Sequence, residues 1–337
     1  STLFPYTTLF RSLGVLMFSL FLVTQINIVN TNFIFIFAIL FGGLSAALLP
    51  ALYSAIPALV NREYLQKANS VMQFINQGST LVGPLVAGII VEKTSDKAYP
   101  ILAIASITAL FLFVKVKYKD NKEKSDSIDE EGVSPQGSFK HLFKLPILIL
   151  LLIFTAILNL CIIGPQQVGY PVIAMINLPE GVDGYTKLLS MTGLGSLISA
   201  ILIGNMKRRQ NAQSIRMILG CSLILGIVWG VFSFSSSKPV ILGAVFIAGL
   251  LLGVINVLFI TTIQQLTPDF LVGRVMSIQF LCSTGLQPVS YMITGIVLDK
   301  FNINNLYLIS GGVIVFISII ILIFTSKENY EIYAEVS

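Results

Sequence analysis

Apolar residues run through this chain in long unbroken stretches separated by short polar ones. That is neither the alternation of a half-buried strand nor the one-sided stripe of a soluble helix. Ten stretches are long enough to cross a bilayer: residues 13–30, 33–55, 70–91, 99–117, 145–176, 185–205, 215–235, 239–262, 275–298 and 302–325. About 20 apolar residues span some 30 Å of hydrocarbon, and a helix satisfies all its backbone groups without water. The pattern predicts an all-α, polytopic membrane protein.

Composition agrees and narrows the class. Hydrophobic residues make up 55% of the 337 and charged residues only 11%, with a mean hydropathy of +0.87. A soluble domain carries about 25% charge, so an ordinary globular enzyme is excluded. The net charge of +5 does not indicate nucleic acid, because the basic residues sit between the spans. One set of loops holds Arg62, Lys67, the bases from Lys115 to Lys144, Lys207, Arg208, Arg209, Arg216, Arg274 and Lys327. The alternate set holds only Lys93, Lys97, Lys187, Lys238 and Lys300. Positive-inside bias places the first set in the cytoplasm. Cys161, Cys221 and Cys282 read as small core residues at unrelated spacings, and His141 as a solvated loop residue. No metal site and no cofactor are expected.

Residues 1–12 (Ser1 to Ser12) resemble a translated sequencing adapter and are expected to be foreign to the native protein, so that the remainder is a fragment. Residues 13–117 then hold four spans, 118–144 a flexible polar linker, 145–326 six spans and 327–337 a polar tail. Two spans are missing from the front if the halves are equal. An internal repeat supports equal halves. Gln73-Phe74, Gly78 and Gly88 to Lys93 recur as Gln279-Phe280, Gly285 and Gly295 to Lys300. Gln279 stands 206 residues after Gln73, and Gly285 stands 207 after Gly78, so one residue is inserted between them. Leu59 likewise matches Leu266. A parallel repeat of six-helix units is the architecture of transporters that rock two halves about a central site.

Three segments carry a family resemblance: Pro50 to Val60 with Leu65 to Ser70; Gly78-Ser79-Thr80-Leu81-Val82-Gly83-Pro84-Leu85-Val86-Ala87-Gly88; and Thr267-Pro268-Asp269 with Gly273 to Ser277. On these the chain resembles the major facilitator superfamily, and within it the drug-, macrolide- and siderophore-export branch. The second segment is similar to the family's antiporter motif, with Ala87-Gly88 where paired glycines are usual. Gly204 to Arg209 resembles a degenerate copy of the signature loop. The resemblance implies a fold of two pseudo-symmetric six-helix bundles, the first incomplete, and proton-coupled antiport.

Candidate chemistry lies in polar side chains at membrane depth, which are costly there and turn toward a cavity or another helix. Thr155, Asn159, Gln166 and Tyr170 fall within one sector at about 100° per residue, with Gln167 beside them. Gly164-Pro165 and Pro171 predict a kinked or discontinuous outer half for that span. Gln73, Asn76, Gln77 and Thr80 make a second stripe; Gln279, Ser283, Gln287 and Tyr291 make a third, and Asn256 stands apart. Amides and hydroxyls would suit a neutral or mixed-character small molecule; hydrogen bonding between helices is the competing role. Gly78, Gly83, Pro84 and Gly88 recur every five residues, off a single face, and read either as a bendable helix or as tight packing. Arg62, Lys207, Arg208, Arg209, Asp269 and Arg274 form a candidate cytoplasmic gate, or serve only to set topology.

No Asp or Glu lies deep in a span, so a proton carrier would sit at an edge or in helices preceding Leu13. No nucleophile–base pair, phosphate-cradling glycine loop or metal cluster suggests an enzyme. The leading expectation is a monomeric secondary transporter in a bacterial plasma membrane that exports small amphipathic compounds by alternating access, with H+ as coupling ion. The alternatives are an importer working by symport and a non-transporting receptor or assembly partner that keeps the fold.

Overall fold

The computed structural model describes residues 31–93, 146–178, 182–207 and 210–327, with scattered positions between 12 and 23. The predicted span at 99–117, most of the one at 13–30, the 118–144 linker and His141 lie outside the described residues. All regular structure among them is helical. We number the helices α1 (Thr31–Leu59), α2 (Leu65–Lys93), α3 (Pro146–Asn177), α4 (Val182–Asn205), α5 (Asn211–Phe234), α6 (Lys238–Leu266), α7 (Asp269–Lys300) and α8 (Ile303–Lys327). Eight predicted spans thus fall on eight helices. At least seven of these are long and apolar enough to cross a membrane.

Packing divides the chain into two compact units, residues 1–59 with 82–140 and residues 60–81 with 141–337. The boundary cuts α2, whose first half packs with the C-terminal helices. In that second unit α4 lies along α6, α5 along α8, and α3 against α7. Lipid offers no hydrophobic force to join helices, so small residues at the crossings must let backbones approach. Gly249 and Gly253, four apart on α6, face Thr192, Ser196 and Ser199 of α4. Gly195 of α4 faces Phe246 and Leu250 of α6, and Ser196 Oγ donates to the Gly249 carbonyl at 2.9 Å. Gly226 of α5 and Gly311 of α8 each press on the other's backbone. Gly164 of α3 meets Ser290 and Thr294 of α7. Beneath the α5–α8 crossing, the Tyr307 ring stands edge-on to Trp229 and Phe232, with centroids 5.4 and 4.5 Å away. Outward faces carry large apolar side chains, such as Ile224, Ile227 and Val231 on α5, as contact with acyl chains requires.

The internal repeat is visible as geometry. α1 ends and Asn61 turns extended before a 3-10 turn at Arg62–Tyr64 opens into α2. α6 ends because Pro268 cannot continue a helix and holds Thr267 extended, and a 3-10 turn at Asp269–Leu271 follows. Tyr64 N–H donates to the Asn61 carbonyl at 2.8 Å and Leu271 N–H to the Pro268 carbonyl at 2.9 Å. Farther along, the residue inserted between Gln279 and Gly285 appears as a π-helical turn over Leu281–Gly285. A single insertion into an α-helix is absorbed in this way. The matching stretch of α2 is uninterrupted α-helix.

Of the two forms expected for the outer part of α3, kinked or discontinuous, the discontinuous one is not found. It is helical to Asn177, with a π-turn at Pro165–Gly169. Pro165 lacks the N–H that the carbonyl four residues back would take, and the widened turn absorbs the loss. Two hydroxyls from other helices clamp it. Gly164 N–H donates to Ser290 Oγ at 2.8 Å, Ser290 Oγ–H donates to the Leu160 carbonyl at 2.8 Å, and Tyr307 Oη–H donates to the Pro165 carbonyl at 2.8 Å.

Candidate functional site

Two groups of polar side chains stand out, one at the corner before α2 and one on α3. At the corner, Arg62, Gln66, Asn69 and Gln73 recur at i, i+4, i+7 and i+11, which is one helical face. Exposure decreases along it from Arg62 to Asn69. The Arg62 guanidinium is about half exposed and bonds Asp269 Oδ1 at 2.7 Å and the Gln265 carbonyl at 3.0 Å. Gln66 Nε2 donates to the Ile203 carbonyl at 2.7 Å, where α4 ends. Asn69, fully buried, donates through Nδ2 to Gln264 Oε1 at 2.6 Å and Thr261 Oγ1 at 2.9 Å on α6. Arg62 and Asp269 are themselves repeat-related, 207 residues apart and each first in its 3-10 turn.

Of the six candidate gate residues, the fold therefore joins Arg62 and Asp269. Lys207 and Arg274 are exposed, and Arg208 and Arg209 lie outside the described residues. The contacts of Gln66 with the end of α4 and of Asn69 with Thr261 and Gln264 are absent from the expectations drawn from sequence. The heptad-like spacing from Arg62 is the signal that could have pointed to it.

On α3, Thr155 is buried and donates to the Leu151 carbonyl at 3.1 Å, while half-buried Asn159 donates back to the Thr155 carbonyl at 2.9 Å. Gln166 and Gln167 ride on the π-turn; Gln167 is exposed, and Gln166 Nε2 is enclosed without a hydrogen bond. The extra residue in the turn rotates the downstream part of α3 by about 100° relative to an unbroken α-helix. Tyr170 accordingly leaves the sector of Thr155 and Asn159 and packs against Phe232, with Trp229, Ala244 and Val245 around it. Thr192 and Gln166 are polar neighbours of its hydroxyl, which makes no hydrogen bond of good geometry.

The other candidates are dispersed. Gln73, Asn76 and Gln77 are half-buried on α2, and Gln287 is half-buried on α7. Gln279 is buried with Oε1 unpartnered, whereas Asn256 is exposed on α6. Among the described residues, a Cβ at Gly78 or Gly83 would meet no atom within 4 Å. α2 stays α-helical through Pro84 and Gly88.

Apolar helices packed through small residues, with repeat-related corners and amides at membrane depth, define a multi-pass helical membrane protein of the transporter kind. The sequence model of the Major Facilitator Superfamily matches residues 4–289, and the chain belongs to that superfamily. Its function class is accordingly transport, not catalysis. Among curated relatives it is 22% identical over 310 residues to the MFS-type transporter YvqJ of Bacillus subtilis, covering 89% of this chain and 71% of that protein. It is 25% identical over 293 residues to macrolide efflux protein A of Streptococcus pyogenes, covering 80% of this chain and 67% of the relative. Among solved structures, it superposes on a bacterial homologue of the iron transporter ferroportin in an outward-facing state with a TM-score of 0.67 at 18% identity, covering 96% and 84% of the two chains. It superposes on the human organic anion transporter MFSD10 with a TM-score of 0.73 at 11% identity, covering 93% and 75%. At these identities the structural likeness concerns the fold.

Proposed function

We propose that this protein exports a small amphipathic molecule from bacterial cells by alternating access, as a monomer in the plasma membrane and by exchange for protons. The observation that carries the reading is a set of polar side chains at membrane depth that helix packing does not satisfy. Gln166 Nε2 and Gln279 Oε1 are enclosed and unpartnered, and Gln167 and Asn256 are exposed in apolar helices. Such groups are expensive against hydrocarbon and are kept where water or a substrate reaches them. Amides without a nearby charge favour a neutral or mixed-character ligand over a small ion. The likeness to a macrolide efflux protein supports export as the direction. The bases of Arg62, Lys67, Lys207 and Arg274 support a cytoplasmic location for the corner end of the helices. Described carboxylates such as Asp183, Asp269 and Asp299 stand at helix edges, so the proton uses one of these or a group outside the described residues.

The test is accumulation of a labelled macrolide in cells making the complete protein or its Asn159→Leu, Gln166→Leu double variant. Extrusion is expected to be lost at unchanged membrane abundance. Equal accumulation with and without the variant would remove the proposed pocket.

A further inference from the structure

We infer that the buried amide node of Asn69, Gln264 and Thr261, rather than the Arg62–Asp269 ion pair, is the latch that holds the cytoplasmic end of the transporter shut. This deepens the alternating-access reading and rests on it.

The segment carrying Asn69 lies before the polar linker, and α4 and α6 lie after it. Rocking of two repeat-related halves has to part contacts between these two regions and make them again. Three contacts of this type occur on one face of the corner, and they differ in surroundings. The Arg62 and Asp269 side chains are 48% and 63% exposed, so water and salt screen the pair and its opening changes little. Asn69 is 1% exposed and Gln264 likewise 1%, so their 2.6 Å bond forms without competition from water. Thr261 Oγ1 accepts a second bond from the same amide and its own O–H donates to the Val257 carbonyl at 2.7 Å, which fixes its lone pairs toward Asn69.

The node is strong but not saturated. Asn69 Oδ1 is buried with no hydrogen-bond partner, and an orphaned acceptor carries a desolvation cost that water would relieve on opening. Two good bonds favour the closed state and one bare oxygen favours the open one. A contact that must break in every cycle needs that kind of near balance, because neither state can dominate the other by much. All members are neutral, so the latch is insensitive to ionic strength.

The experiment uses the full chain with Cys161, Cys221 and Cys282 replaced by serine and Ser70→Cys as reporter, in inverted membrane vesicles. Ser70 is buried beside Gly204, one residue from Asn69, and becomes reachable by a membrane-impermeant maleimide when this end opens. Asn69→Ala is expected to be labelled about 3- to 10-fold faster than the parent. Gln264→Ala is expected to be faster as well, and the double variant no faster than Asn69→Ala alone, since both remove one shared bond. Arg62→Ala is expected to change the rate less than about 2-fold. A parent-like rate for Asn69→Ala, or a larger effect of Arg62→Ala, overturns the inference. Should Asn69→Ala not reach the membrane, Thr261→Val keeps the side-chain shape and deletes one acceptor. It is expected to raise labelling about 2- to 3-fold, and a parent-like rate overturns the inference equally. Labelling requires no substrate, so the two proposals separate. Faster labelling with no macrolide extrusion by the parent keeps the latch and removes the export reading.

Discussion

Gly249 offers the sharpest test of how these helices are held together. A Cβ added there would run into the Thr192 carbonyl oxygen of α4, with the Thr192 Cα and carbonyl carbon both at 2.8 Å. All three are backbone atoms, so no side-chain rotation relieves the contact, and α4 and α6 must move apart. Overpacking of this kind costs about 1–3 kcal/mol. Separation also lengthens the 2.9 Å bond from Ser196 Oγ to the Gly249 carbonyl, worth about 0.6 kcal/mol in a membrane helix pair. Alanine's better helix propensity returns at most about 1 kcal/mol. The net for Gly249→Ala is a destabilisation of about 1–3 kcal/mol. Gly243, on the same helix, has nothing within 4 Å, so Gly243→Ala carries the propensity term alone and should be neutral or slightly stabilising. Thermal unfolding in detergent, followed by tryptophan fluorescence of Trp229 or by loss of the monodisperse peak, compares the two. The propensity term is common to both and cancels, so at about 2–4 °C per kcal/mol the pair should differ by roughly 3–14 °C, Gly249→Ala the lower. Equal midpoints would refute the claim that backbone contact at Gly249 sets the α4–α6 crossing.

Three further outcomes are expected from the same geometry. Ser290→Ala deprives Gly164 N–H and the Leu160 carbonyl of their shared hydroxyl and should lower stability by about 1–3 kcal/mol in the same melt, while Ser290→Thr, which keeps a hydroxyl, should recover part of it. Tyr307→Phe leaves the edge-on packing on Trp229 and Phe232 and removes only the bond to the Pro165 carbonyl; a loss of about 0.5–1.5 kcal/mol is expected, and a loss as large as that of Tyr307→Ala would contradict it. Arg62→Ala should cost no more than about 1 kcal/mol, and raising salt should narrow its difference from the parent, as suits an exposed pair.

Much of this architecture was legible because lipid imposes a simple rule on sequence. Eight predicted spans coincide with helices, since runs of apolar residues have no other stable form in a bilayer. The step from 206 to 207 between Gln73/Gln279 and Gly78/Gly285 announced an insertion, and the π-turn at Leu281–Gly285 is its physical form. Arg62 and Asp269 could be marked as charges able to pair. The hidden features depend on partners far along the chain. Pro165 signalled an irregularity, a kink or a discontinuity, but that it takes the form of a widened turn clamped by Ser290 and Tyr307, more than 120 residues away, could not be read. Gln66 and Asn69 look the same in sequence whether they meet water, substrate or another helix. Gly249 and Gly253 have the four-residue spacing of a close crossing, yet Gly78 and Gly83 are the more conspicuous glycines, and no described residue packs closely on them. A polar sector on α3 drawn with constant helical pitch fails beyond Gly169, because the π-turn breaks that pitch.

The additional residue in Leu281–Gly285 also limits how this chain can be recombined. The widened turn holds one more residue than the α-turn it replaces, so the helix beyond it keeps its phase. Trimming that residue would wind α7 back to regular pitch and leave Ser290 against Gly164. A deletion farther along, with the widened turn kept, would instead turn everything downstream by about 100° and draw it in by about 1.5 Å. A chimera that exchanges the duplicated segments stays in phase with its surroundings when the extra residue and its widened turn are carried together or left out together.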